Sequence, residues 1–285
     1  MKKANKKSVY FGLTNDIIFG WIMKSEENCL AIIRAILPEL NITGIVHKEI
    51  QHDITPVTSA RGVRFDAVVQ DDQKRYYDIE MQVENIGDLG KCARYYQSQI
   101  DNETLMKGQT FHKLKESFVI LLCAFDPFSH GLRRYQFHQY EDTIRNLRLD
   151  TYSHVLFVNS KGTEGEVSND LAGIIDVMNQ KPNQTNPLAS KLMKEIDYYN
   201  QDSEKRRELM DYETRLLDER LIGEEKGRQE GRIEATNRNA RNIIIAFKAN
   251  QTAPNIIFRF IKNAYRGKLT DEEIQQMIDD VEENE

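Results

Sequence analysis

Apolar positions near the start of the chain recur at helical spacing. Thr14-Asn15-Asp16 offers a helix start, and Ile17, Ile18, Trp21 and Ile22 follow along one stripe. A second run extends from Cys29 to Leu37 and stops at Pro38. The pattern then becomes extended. Val63–Val69, a polar break at Asp71-Asp72-Gln73-Lys74, and Tyr76–Val83 together predict a β-hairpin. From Asp88 to about Thr110 the spacing predicts a helix, with Leu89, Cys92, Tyr96 and Ile100 on one stripe. Ser117–Ala124 is a continuous apolar run of strand length, which suits a strand buried on both faces. Arg134–Tyr140 and His154–Asn159 predict further strands. After Lys161-Gly162 the helical period takes over, interrupted around Lys181–Pro187.

Composition shifts at about residue 203, which divides the chain into a main domain (1–202) and a charged helical linker with a small helical region (203–285). Ser203–Lys248 carries eleven Lys or Arg and ten Asp or Glu, with Gly223, Gly227 and Gly231 at four-residue spacing. Pairs such as Glu224–Arg228 at i,i+4 support an exposed helix by about 0.2–0.5 kcal/mol each. Each glycine costs about 1 kcal/mol in a helix interior. Two readings follow: a solvated helical linker, or an arm through which two copies of the chain associate as a homo-oligomer. Ile243–Phe247, Ile256–Ile261 and Ile274–Ile278 predict a small terminal bundle.

With 40% hydrophobic and 29% charged residues among 285, the chain reads as globular rather than disordered. No apolar run approaches the ~20 residues needed to span a bilayer, so no membrane role is expected. The basic N-terminus lacks an apolar stretch behind it, and no secretory signal is expected. Cys29, Cys92 and Cys123 are odd in number and free of any CxxC pattern. That excludes a disulfide scaffold or zinc cluster and fits a reducing cytoplasm. The net charge of -6 argues against a nucleic-acid partner, but its distribution weakens the argument. Eight acids lie in Leu269–Glu285, and without them the remainder would carry +2.

The hairpin holds the informative chemistry. Side chains alternate across a strand, so Tyr77, Ile79, Met81 and Val83 share an apolar face while Asp78, Glu80 and Gln82 share the other. On the first strand Phe65, Ala67 and Val69 form the apolar set, which leaves Asp66 with Arg64 on the polar face. One reading is a sheet with a wet face. The other is a divalent-metal site, because hard Mg²⁺ takes carboxylate oxygens, a carbonyl and water, and a cation makes adjacent like charges tolerable. Asp66 stands opposite Glu80 only if paired residue numbers sum to 146. That requires a turn of odd length, Asp72–Lys74 or Asp71–Arg75, because a one-residue slip would present Ile79 instead. The odd register is predicted.

Thr14-Asn15-Asp16-Ile17-Ile18-Phe19, Arg64-Phe65-Asp66, Tyr77-Asp78-Ile79-Glu80-Met81-Gln82 and Arg94-Tyr95-Tyr96 resemble segments of the Rpn-type recombination-promoting nucleases, a family also described as transposases, within the PD-(D/E)XK superfamily. The likeness covers roughly residues 10–240. It implies an α/β (or α+β) restriction-endonuclease-like core with a mixed central sheet flanked by helices, followed by a helical C-terminal region. It further implies a Mg²⁺-dependent DNA endonuclease, with Mn²⁺ able to substitute, linked to DNA recombination or mobile elements. On that resemblance Asp66 and Glu80 are metal ligands and the Met81 carbonyl adds a third. Asp16 holds a second metal or water, or is simply an acid favoured by the helix dipole. Gln82 stands where the superfamily name has Lys; its amide can orient a water but brings no charge. Phe65 stands where the name has Pro. Arg94 meets phosphate, or forms a structural ion pair. The rival from another class is a catalytically inactive relative that acts by binding DNA or by self-association.

Other features carry less. His47 and His52 flank Glu49 but fit no metal spacing and read as surface residues. Tyr95 and Tyr96 fit a core position better than base stacking. Lys113, Lys115, Arg133 and Arg134 could track a DNA backbone, or be ordinary surface charge. No P-loop, GxSxG or kinase-like pattern is present.

Overall fold

The computed structural model describes residues 9–54, 63–85 and 87–282, without the side chains of 52–54, 63–64 and 282. The N-terminal segment and the side chains of His52, Asp53 and Arg64 lie outside the described residues. The chain forms two compact units, residues 1–209 and 210–285.

The first unit opens with α1 (Asp16–Lys24) and α2 (Glu26–Ile36). Asn15 caps α1 by accepting from the Ile17 and Ile18 N–H groups at 3.1 and 3.3 Å, and Ser25 caps α2 through the Asn28 N–H. Six strands follow: β1 (Ile45–Ile54), β2 (Val63–Asp71), β3 (Tyr76–Gln82), β4 (Ser117–Cys123), β5 (Arg134–Phe137) and β6 (Ser153–Asn159). They form one mixed sheet in the order β1-β2-β3-β4-β6-β5. β1, β2 and β3 run antiparallel, β3, β4 and β6 parallel, and β5 is an antiparallel edge. Every residue of β4 is buried, as its unbroken apolar run requires.

Helices cover both faces. α1, α2, α4 (Asn169–Met178) and α5 (Pro187–Gln201) bury Phe19, Ile22, Ile33, Ile174 and Leu192 against Ala67, Ile79, Met81 and Ile120. On the opposite face α3 (Leu89–Thr104) packs Leu89, Ala93 and Ile100 over Val68, Val119, Leu121 and Phe157. Two expected boundaries shift. α3 ends at Thr104 rather than near Thr110, before a turn with Gly108 at φ +88°. β5 ends at Phe137 rather than Tyr140.

The β2–β3 turn sets the register. Asp71 pairs with Arg75 through an N–H···O bond of 3.1 Å, and Lys74 returns its N–H to the Asp71 carbonyl at 3.0 Å. That leaves a three-residue turn, Asp72–Lys74, with Lys74 in the left-handed region at φ +65°. A buried cluster clamps its base. The Asp71 carboxylate accepts from the Gln73 and Arg75 N–H groups, from Arg75 Nε at 2.6 Å and from the Tyr77 hydroxyl at 2.8 Å.

In the second unit, α6 (Ser203–Ala249, which begins in the first) meets α7 (Pro254–Ala264) and α8 (Asp271–Glu282). Ala240, Ile244, Ile257, Ile261, Ile274 and Ile278 form its core, the expected terminal bundle. Along α6 the charge pairing differs from expectation in detail. Glu224 accepts from Arg220 at 2.9 Å, and Arg228 donates to Glu225.

Candidate active site

β2 and β3 pair Gln70 with Tyr76, Val68 with Asp78 and Ala67 with Ile79. Each sum is 146, so the predicted register holds and the next pair is Asp66 with Glu80. At that pair side chains take over from the backbone ladder. The Asp66 N–H donates to Glu80 Oε1 at 2.8 Å, and the Met81 N–H donates to Asp66 Oδ2 at 2.9 Å. Each carboxylate therefore reaches across to the opposite strand, and the two converge.

The local backbone explains a departure from the expected alternation. Gln51, which the β1 register brings opposite Asp66, lies at φ +57°, and the β1–β2 pairing skips it. Phe65 consequently packs with Val68 on the α3 side, its ring 5.4 Å from that of Tyr96, rather than with Ala67 and Val69. The expected apolar set Phe65/Ala67/Val69 is thus split between two faces.

The carboxylate face is not wet. Asp78 is fully buried and Glu80 is 3% exposed, because α3 lies over them. Neither oxygen of Asp78 meets a donor, and neither Asp78 nor Glu80 has an ion-pair partner among the described residues. Burial, then the Asp66 charge, raises the Glu80 carboxyl to about 7, while hydrogen bonds from the Asp66 N–H and the Tyr96 hydroxyl pull the other way. Burial and then the Glu80 charge hold Asp78 well above the usual carboxylate range. A protonated Asp78 can donate to Glu80, which is how two acids share so small a volume without a cation.

A cluster of hard carboxylate oxygens, in which Asp78 and Glu80 are buried without a cation among the described residues, fits a divalent ion. Among the described residues no three His, Cys, Asp or Glu side chains are arranged to hold one. A set built from Asp66, Glu80 and the Met81 carbonyl leaves its remaining positions to water or substrate.

Gln82, half-buried, ends β3 on the Glu80 face. Arg94 is exposed on α3 and has no ion-pair partner among the described residues. Tyr96 is part of the core, as expected, but its hydroxyl also faces Glu80. Asp16 is the first residue of α1, which packs on the face opposite Asp78 and Glu80. It can join them only around the end of the sheet. His47 bonds Glu49 at 2.7 Å and lies away from the carboxylates on β1. Asp78 and Tyr96 are the site residues that sequence reasoning missed. The alternation that placed Glu80 places Asp78 beside it, and Tyr96 stands in the Arg94-Tyr95-Tyr96 segment, though nothing local turns its hydroxyl toward Glu80.

A mixed sheet with helices on both faces, carrying an Asp and a Glu crosswise on an antiparallel hairpin, defines a restriction-endonuclease-like nuclease core. No curated protein and no solved structure matches the chain. A family model described as PD-(D/E)XK nuclease family transposase matches residues 13–158, and the chain belongs to that family. Its function is therefore of nuclease type. Among the described residues no helix is long and apolar enough to cross a membrane.

Proposed function

We propose that this chain is a Mg²⁺-dependent DNA endonuclease of the cytoplasm that acts in recombination or on mobile elements. The observation that carries the reading is the crosswise Asp66–Glu80 pair, with the Glu80 carboxylate buried beneath α3. Asp66, Glu80 and the Met81 carbonyl would hold the ion, for which Mn²⁺ substitutes. A divalent cation in that position supplies charge neutralisation for a phosphodiester and makes a bound water more acidic. The chain's own contribution is positional. The Gln82 amide orients the attacking water by hydrogen bonds, Arg94 offers a guanidinium fork to a phosphate, and Asp16 supplies a further carboxylate from the end of the sheet. Hydrolysis joins the water oxygen to phosphorus as the bond to the leaving sugar oxygen breaks, and that oxygen takes up a proton.

The test is plasmid nicking with Mg²⁺ or Mn²⁺, comparing the wild type with Asp66→Ala and Glu80→Ala. Loss of nicking in both variants, with the fold intact by circular dichroism, supports the reading, and equal cleavage by all three proteins overturns it. DNA binding without cleavage by any of them favours the inactive relative, a reading against which the intact Asp66, Glu80 and Gln82 set argues.

A further inference from the structure

The parallel strands β3, β4 and β6 end in one row, with Gln82, Cys123 and Asn159 in register. Beyond β4 the chain turns to the α3 face, where Phe125 and Phe128 pack. Beyond β6 it turns to α4 on the other face. Divergence of this kind at the carboxyl ends of parallel strands opens a crevice where α/β proteins bind ligands. On the α4 side of the β6 exit lies a cleft of about 890 Å³, between the 160–163 loop, Arg133 and α4.

Three cations line it: Arg133, Lys161 and Lys181. Arg133 donates to the Gly165 carbonyl and Lys161 to Asn179 Oδ1, both neutral acceptors. None of the three has an ion-pair partner among the described residues. Two acids also face the cleft. Asp176 accepts from Asn183 Nδ2 at 2.8 Å, and Glu166 is exposed at the rim. The wall includes Ser160, which is 4% exposed and whose Oγ has no hydrogen-bond partner. The wall is also rigid. The Asn159 N–H donates to the Arg133 carbonyl at 2.9 Å, the Arg133 N–H to the Glu164 carbonyl at 2.9 Å, and a Cβ on Gly162 would lie 2.6 Å from the Leu132 oxygen.

We propose that this cleft binds a phosphate group of the nucleic-acid backbone, with Arg133, Lys161 and Lys181 supplying charge. The backbone as source rests on the nuclease reading; a free phosphate is the other source of the same chemistry. Asn159 lies two strands from Gln82, about 10 Å at roughly 4.8 Å per strand. The cleft lies on the α4 side of the sheet and Glu80 on the α3 side, so a duplex meets both only across this end of the sheet. Apart from Arg133, the residues that line the cleft lie beyond the segment the family model matches.

The test measures binding of a fluorescent DNA duplex by anisotropy across a salt series in Ca²⁺, and binding of inorganic phosphate by calorimetry. The full-length wild type is compared with Lys181→Ala, Lys161→Ala/Lys181→Ala and Lys161→Arg, each checked for a native melting transition. The double variant is expected to bind duplex at least tenfold more weakly and to lower the salt slope by about 2, at about 0.9 for each phosphate charge it no longer neutralises. Lys181→Ala should fall between, and Lys161→Arg should keep wild-type binding. Unchanged affinity and slope in the double variant would overturn the proposal, while loss of nicking in Asp66→Ala would still leave the nuclease reading standing. Phosphate binding that depends on Lys161, without duplex binding, assigns the cleft to free phosphate and refutes the backbone source.

Discussion

Removing the Glu80 charge should stabilise the metal-free protein at alkaline pH. The folded state holds this carboxyl near 7 against an ordinary value of 4.5, chiefly because it is buried. A group raised on folding contributes its stability in full below the unfolded value and loses it as pH climbs through the folded one. The window is therefore about pH 4.5 to 7, and the loss is about 3 kcal/mol at 1.36 kcal/mol per pH unit. For a unit of this size that corresponds to roughly 6–12 °C in melting temperature. Glu80→Gln keeps the shape and an oxygen for the Asp66 N–H but cannot ionise. The assay is thermal unfolding in EDTA from pH 4.5 to 8, followed by the fluorescence of Trp21, the single tryptophan, which is buried in the first unit. Wild type should lose stability across the window while Glu80→Gln stays much flatter, and Mn²⁺ at pH 8 should restore the wild type alone. Parallel curves for the two proteins would refute both the burial argument and the idea of a site awaiting a cation.

Three further outcomes follow from the packing. Arg75→Met strands the buried Asp71 carboxylate, which should cost about 3–5 kcal/mol in urea unfolding; a loss under about 1 kcal/mol would show that the clamp is dispensable. Gly162→Ala forces a Cβ to within 2.6 Å of the Leu132 carbonyl oxygen, so melting temperature and duplex affinity should fall together, and an unchanged melting temperature would contradict the close approach. Gly227→Ala meets no atom within 4 Å and should stabilise α6 by about 1 kcal/mol, read by far-UV circular dichroism during melting. Destabilisation with a change in oligomeric state would instead show that the glycine row packs against a second copy.

Much of the architecture could be read from periodicity because single elements carried it. The unbroken apolar run of β4 announced burial on both faces, and parity plus an odd turn put Asp66 opposite Glu80 from the hairpin alone. What escaped depended on elements distant in sequence. Asp78 and Glu80 look like a wet face until α3 covers them, and no local pattern says which side of the sheet a later helix will choose. The rotation of Phe65 follows from irregular backbone where β1 and β2 meet, since Gln51 carries no sequence mark of a left-handed conformation. The cleft gathers Arg133, Lys161 and Lys181 from three separate segments. Along the chain only Arg133 of these reads as a candidate backbone contact, and no sequence pattern groups it with Lys161 and Lys181.

The clamped turn between β2 and β3 works as a ruler. Point changes at Asp66 or Glu80 alter what the hairpin can hold, but insertion or deletion of one residue between Asp71 and Arg75 would shift every partner on β3 by one place. Ile79, after an insertion, or Met81, after a deletion, would then stand where Glu80 does. Length variation in this connection is therefore a harsher change than any single substitution at the carboxylates, and relatives that keep the acids should also keep the count of residues separating them.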